Sequence, residues 1–282
     1  ARVIINDSFN KTEAAEKLSL VTAIMVIFPL LSLILGGFIA QTIGWIGTMY
    51  VFFIFGLIIL NGSFFLIPET KTNKIKSLEV KKIFSSYGSV LSNTKYLIFT
   101  LIGSIQVGVF FSSFGFMPYE FARLGVTPLE FGFWISFTGI GYFTGNILNR
   151  YLAASLGIEK LIIIGCIFSL SSYFFILVMH INDFTHPLYI SLPIILFGLG
   201  NGFTVANCII GGVSTTGSHS GTATGIAGAL QMSSGGIIGA IVISLGGDEN
   251  FLFCLLFMNF LCFSALLLSF LNYKNRTQTA VG

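Results

Sequence analysis

Charge is scarce in this chain. Asp, Glu, Lys and Arg make up 9% of its 282 residues, against about a quarter in an ordinary soluble domain, whose surface must be met by water. Proline, with 6 residues, cysteine, with 4, and tryptophan, with 2, are scarce as well. So little charge excludes a water-solvated globule, and no basic cluster resembles a face for nucleic acid. Cys166, Cys208, Cys254 and Cys262 fall in or near apolar runs and form no CxxC pair. They read as small core residues rather than as disulfides or metal ligands. His180, Asp183 and His186 sit close together in sequence, but their spacing matches no zinc motif. No metal or cofactor is expected.

What the chain has instead is apolar length. Hydrophobic residues make up 54%, aromatics 15%, Phe alone numbers 31, and the mean hydropathy is +0.91. Crossing a bilayer takes about 20 predominantly apolar residues in a helix, and about eight such runs can be placed: 18–41, 47–67, 96–116, 131–151, 161–180, 188–210, 221–245 and 251–271. Alternation of apolar and polar residues is absent over these lengths, so strands are not expected. The fold class is all-α, a polytopic membrane protein.

The cations set the orientation. With the N-terminus inside, all 14 Lys and Arg except Arg123 fall in inside segments, as the positive-inside rule requires. Both termini are then cytoplasmic, and the expected location is the bacterial plasma (inner) membrane. The longest polar stretch, 69–95, is also inside and carries Lys71, Lys74, Lys76, Lys81, Lys82 and Lys95. It divides the chain into residues 1–68, a basic cytoplasmic linker 69–95, a six-helix block 96–271 and a cytoplasmic tail 272–282.

No Asp, Glu, Lys or Arg lies near the middle of any run, so any titratable group that couples transport to protons is expected outside this sequence. Uncharged polar residues remain. Gln106 shares a helix face with Ser113, with Phe110 beside them; Thr224 shares one with Gln231; Asn201 and Thr204 lie on one stripe; Asn146 lies in another run. Each either bonds a neighbouring helix or faces a solute cavity. Gln106, Phe110, Asn146, Asn201, Thr204, Thr224 and Gln231 are the cavity candidates. Small residues are concentrated in the runs, with Gly198, Gly200 and Gly202 in one and Gly141 and Gly145 in a GxxxG pattern in another, which suits close helix approach. Pro29 falls mid-run and should kink its helix, with Met25 and Gly36 on the same face.

Five landmarks, in order, resemble the major facilitator superfamily, in particular its drug:proton antiporter branch of the bicyclomycin-resistance (Bcr/CflA) type. They are Arg2-Val3-Ile4-Ile5-Asn6-Asp7, Pro29 through Gly36-Gly37, Pro68-Glu69-Thr70, Leu124-Gly125-Val126-Thr127-Pro128 with Phe131-Gly132, and Gly221-Thr222-Ala223-Thr224-Gly225. The resemblance implies helices 5–12 of an original twelve, with the tail of helix 4 at the start of the chain. It implies that Arg2 lies by the proton path, that Met25, Pro29, Gly36 and Gly37 shape a gate, and that Gly145, Arg150 and Lys160 belong to a cytoplasmic loop motif whose usual acid is Asn149 here. It further implies a monomer that exports drug-like, amphipathic molecules by proton antiport. Two alternatives stand beside that reading: a permease for a neutral nutrient, and a truncated, non-transporting remnant. An enzyme is not expected, because no nucleophile, base or metal set shows mutual spacing.

Overall fold

The computed structural model describes residues 31–32, 34–66, 80–244, 246–247 and 249–279. In chain order the helices are α1 (Ile34–Ile43), α2 (Trp45–Leu66), α3 (Val80–Leu91), α4 (Thr94–Arg123), α5 (Pro128–Ile135), α6 (Phe137–Leu156), α7 (Ile158–Ile181), α8 (Leu188–Ser191), α9 (Ile194–Ser214), α10 (Ser220–Ser244) and α11 (Phe251–Thr279). No strand occurs among the described residues. Among the described residues six stretches, Trp45–Leu66, Thr94–Arg123, Ile158–Ile181, Leu188–Ser214, Gly217–Ser244 and Phe251–Lys274, are long and apolar enough to cross a membrane. The chain divides into two compact units, Ala1–Glu79 with Thr127–Ser136, and Val80–Val126 with Phe137–Gly282.

In the first unit α1 ends where Gly44 adopts φ +82°, a left-handed conformation that glycine enters without the Cβ clash. Gly47 is the only buried residue of α2, while Phe52, Phe53, Phe64 and Phe65 are exposed. A helix apolar on every side is suited to hydrocarbon. α5 starts with a capping box: the Thr127 hydroxyl accepts from the Glu130 N–H, and the Glu130 carboxylate accepts from the Thr127 N–H at 2.9 Å. Those bonds hold the Glu130 carboxyl below the usual carboxylate range. The cap is therefore intact above that range and is lost as pH falls through the lowered value. Gly37 of α1 lies against the backbone of Pro128 and Leu129.

The second unit is the helical bundle. α4 begins at Asn93, whose side chain accepts from the Tyr96 N–H at 3.1 Å and donates to the Thr215 carbonyl at 2.9 Å. It runs through Pro118 and ends in a turn where Gly125 has φ +76° and Val126 N–H bonds the Phe121 carbonyl, a Schellman-type stop. α9 is central, packed on α6, α7 and α4; α10 lies mainly on α4, and α11 lies on α7 and α4. Glycine makes these approaches possible. A Cβ on Gly141 or Gly198 would overlap a carbonyl oxygen of the facing helix, that of Ile195 or Thr138, and one on Gly200 would overlap that of Gly165.

Four boundaries differ from the sequence reading. The run 96–116 extends to Arg123, because one Pro within a helix removes a single backbone donor and can be tolerated where neighbours support it. The run 131–151 is divided at Ser136, whose hydroxyl bonds the Phe133 carbonyl at 2.6 Å. The run 188–210 is divided at Leu192–Pro193, and the Pro193 carbonyl accepts from both the Leu196 N–H at 2.9 Å and Ser172 Oγ at 2.8 Å. A helix, α3, forms within the stretch read as linker. Most of the run 18–41 lies outside the described residues.

The glycine contacts generate a paired prediction. Gly141→Ala should destabilise the bundle by on the order of 1–3 kcal/mol through overpacking. Gly228→Ala, where nothing lies within 4 Å, should change stability by less than about 0.5 kcal/mol. Unfolding in detergent followed by far-ultraviolet circular dichroism separates them, and equal stability of the two variants would refute the close-packing account.

Candidate functional site: polar side chains of the helical bundle

A side chain that carries a donor into hydrocarbon must find an acceptor, and the cheapest lies one turn back on its own helix. Asn146 donates to the Tyr142 carbonyl at 2.8 Å, Asn201 to Phe197 at 3.3 Å, Thr204 to Gly200 at 2.7 Å and Thr224 to Ser220 at 2.9 Å. Asn259 does the same with Leu255 at 2.8 Å. These bonds lie within one helix, where the sequence reading expected partners between helices.

Asn207 differs. Its Nδ2 reaches both the Phe203 carbonyl at 2.8 Å and Asn149 Oδ1 of α6 at 2.7 Å. Two amides thus meet in an uncharged bridge between α6 and α9. The sequence reading named Asn149 without pairing it to Asn207, since contact across two helices has no signature in spacing.

Two glutamines are placed otherwise. Gln106, fully buried on α4, has only the Cys166 sulfur of α7 at 3.5 Å for its Nε2, a weak acceptor, and its Oε1 has no partner. Gln231 of α10 is buried, and its Nε2 lies unpartnered against Gly103 of α4, where a Cβ would collide with it. Leaving such a group unsatisfied costs about 1–3 kcal/mol. An unsatisfied amide in an ordered bundle therefore asks for a water or a ligand. Nearby, Ser113 on the Gln106 face bonds the Tyr173 hydroxyl, and Ser234 donates to the Ser104 carbonyl at 2.7 Å.

The seven cavity candidates are not gathered in one pocket. Gln106, Asn201, Thr204 and Gln231 are buried between helices, Asn146 and Phe110 are half-buried, and Thr224 is exposed. Phe110 makes edge-on ring contacts with Phe111 and Phe114, each at 5.2 Å. A cleft of about 450 Å³ opens elsewhere, at the end of the bundle where α4, α7 and α11 contribute Lys95, Glu159 and Asn272 beside Gly157, Ser214 and Thr215. None of the seven lines it. It was not legible because its walls come from the ends of five helices.

Of the other candidates, Gly145 packs on the Leu199 backbone, and Arg150 and Lys160 are exposed at the cleft end of α6 and α7. Gly36 has nothing within 4 Å. Arg2, Met25 and Pro29 lie outside the described residues. Beyond the apolar runs, whose middles hold no acid, Glu120 and Glu159 are buried at opposite ends of the bundle. Both were assigned to loops because the apolar runs stop short of them.

The Asn149–Asn207 bridge can be weighed by a double-mutant cycle. With Asn149→Leu and Asn207→Leu, the coupling in unfolding free energy should be about 0.6 kcal/mol and at most about 1.7 kcal/mol. Zero coupling would mean that the two amides do not meet.

Comparison with known proteins accords with this architecture. Residues 1–240 match the family model described as Major Facilitator Superfamily. The chain is also similar to a bicyclomycin resistance protein homolog of Haemophilus influenzae (strain ATCC 51907 / DSM 11121 / KW20 / Rd), at 25% identity over 251 residues. The match covers 87% of this chain and 62% of that relative, so the chain spans about three fifths of the relative's length.

Proposed function

The chain belongs to the major facilitator superfamily, and from that premise we propose that it exports drug-like, amphipathic molecules in exchange for protons. A family of multi-pass transporters supplies the transport role and excludes an enzyme. The finer reading is carried by one observation: the side-chain donors and acceptors left free inside the bundle among the described residues, on Ser104, Gln106, Thr138 and Gln231, are uncharged. Neutral amides amid aromatic and aliphatic side chains suit a solute with a large apolar body and few hydrogen-bonding groups. The similarity to a protein named for bicyclomycin resistance supports the same choice.

In this reading Gln106 and Gln231 bond the solute, and Phe110, Asn146 and Thr224 line its route. Asn201 and Thr204, bonded to their own helix, shape the wall. Arg2 lies by the proton path. Met25, Pro29, Gly36 and Gly37 form the gate, with Gly37 against Pro128 as its closest backbone contact. Gly145, Arg150 and Lys160 hold the loop at the cleft end. Lys95, Arg150, Lys160 and Lys274 all belong to that end, and Arg123 to the other. By the positive-inside rule the cleft end is cytoplasmic, in the inner membrane of a bacterium, with both termini inside and the protein working as a monomer.

The test is export by variants that keep the fold. Gln106→Leu and Gln231→Leu remove the free amides at similar volume, so both proteins should accumulate to wild-type level. A lost solute hydrogen bond of about 1 kcal/mol corresponds to roughly a fivefold loss of apparent affinity. Bicyclomycin resistance in a host stripped of its own exporters, together with drug-driven proton release in everted vesicles, measures the effect. Unchanged resistance from both variants at equal protein level would remove the glutamines from the site.

A further inference from the structure

The sequence of α3 divides cleanly into two faces. At 3.6 residues per turn, Val80, Ile83, Phe84, Tyr87, Val90 and Leu91 fall within an arc of about 120°. Lys81, Lys82, Ser85, Ser86, Gly88 and Ser89 take the rest of the circumference. The membrane-length helix α2 shows no such division. With 12 residues rising 1.5 Å each, α3 is about 18 Å long, well short of the about 30 Å of a hydrocarbon core. It is therefore not a crossing helix. An apolar arc opposite a polar face that carries lysine is the pattern of a helix that lies along a membrane surface.

Packing sets the helix at a boundary. α3 rests on α10 and α4. Val90, at one edge of the apolar arc, is 1% exposed and packs with Tyr96, Ala223 and Ile226. Tyr87 and Leu91, on the rest of the arc, are 45% and 44% exposed. Ser85, Gly88 and Ser89 are exposed on the polar side. After Leu91 the chain turns directly into α4, where Asn93 bonds the Tyr96 N–H and the Thr215 carbonyl. α4 is apolar enough to cross a membrane, so α3 lies at the level where the hydrocarbon begins. A lone helix of this length is marginal in water, and the seat of Val90 leaves Tyr87 and Leu91 uncovered. The charge nearby has one sign. Between residues 70 and 82 the sequence holds Lys71, Lys74, Lys76, Lys81 and Lys82 against a single acid, Glu79. Lys95 is exposed in the first turn of α4.

We propose that α3 is a lipid-binding element, which lies along the membrane surface at the cleft end of the bundle and binds anionic phospholipid. Its lysines meet the phosphates, and Tyr87 and Leu91 rest among the acyl chains. A basic cluster beside an amphipathic helix complements an anionic membrane surface. A covering protein segment would call for the apolar arc but not for the lysines. Because Asn93 joins the end of α3 to the start of α4 and the end of α9, the lipid contact fixes those two helix ends at the membrane surface. The inference does not depend on drug export or on which side of the membrane the cleft end faces, and its readouts involve no transport.

The test uses the whole chain in phosphatidylcholine nanodiscs, with a fluorophore on Leu91→Cys. The native cysteines among the described residues are buried and should not label. Brominated phosphatidylglycerol or brominated phosphatidylcholine is added in equal small amounts, and the ratio of their quenching gives the preference of the site for the anionic lipid. Phosphatidylglycerol should quench the more strongly. Lys81→Gln and Lys82→Gln should each lower the preference roughly fivefold, the effect of one cation beside an anionic surface. The paired change Lys81→Arg with Lys82→Arg should keep it, and added salt should reduce it. A fluorophore on Ser89→Cys, on the polar side, should instead be quenched by aqueous iodide. Equal quenching by the two lipids would overturn the proposal, as would a preference unchanged in the double glutamine variant. No quenching of the Leu91→Cys label by either lipid would mean that protein covers this face, and would overturn it too.

Discussion

The close approach of α9 to its neighbours is the contact on which the bundle depends. Between membrane helices the hydrophobic effect supplies no attraction, because lipid tails are as apolar as Leu, and association rests on dispersion and on polar bonds at short range. α9 meets that demand with glycine on two sides. Gly198 and Gly202 bring its backbone onto α6 at Thr138 and Gly145, while Gly200 brings it onto α7 at Gly165 and Ser169. Every other placement follows from this. Asn207 reaches Asn149 because α6 is so near, and Thr204 is buried against Gly165 because α7 is.

Tight backbones leave little room for long polar side chains to cross between helices. That explains why Asn201, Thr204, Asn146 and Asn259 fold back to a carbonyl on their own helix. Such bonds cost no partner and transmit no specificity. Gln106 and Gln231, one methylene longer than Asn, sit where α4 meets α7 and α10, and their amides have passed the point at which the backbone can satisfy them. Among the described residues the short hydroxyls of Ser104 and Thr138 are likewise without a partner, so reach is one of several factors that leave a hydrogen bond to give.

Much of this was legible in the sequence, for reasons that differ by feature. The all-helical membrane fold follows from runs that water could not solvate. The glycines at 141, 145, 198, 200 and 202 stand out by their spacing. What was not legible depends on neighbours. Ser136 interrupts a run with neither Pro nor Gly, by turning its hydroxyl onto Phe133, an option open to any Ser in a helix. Pro118 suggests a stop in sequence, yet α4 passes through it because surrounding helices keep the chain in place. With the helix end set at Phe116, Glu120 fell into a loop, where a carboxylate is unremarked. The same shortening hid Glu159 at the start of α7. Two acids were therefore missed by only a few residues of boundary error, because burial is decided by packing beyond the apolar run.

The pattern of contacts also says where this bundle can change shape. α6, α7 and α9 are joined by carbonyl-to-glycine contacts that tolerate no added atom and form one closely packed group. α10 rests chiefly on α4, through Gly103, Gly108 and Gly235, and forms a second group. α11 bridges the two by packing on both α4 and α7. At the end away from the cleft, the seam between the groups is crossed by the bond from Tyr189 to Glu120 and by the 3.6 Å approach of Glu120 Oε1 to His180 Nδ1. A glycine contact is set by shape and does not respond to solution conditions. A carboxylate bond is set by charge and does. The interactions that hold each group rigid and the interaction that joins them are therefore of different physical kinds.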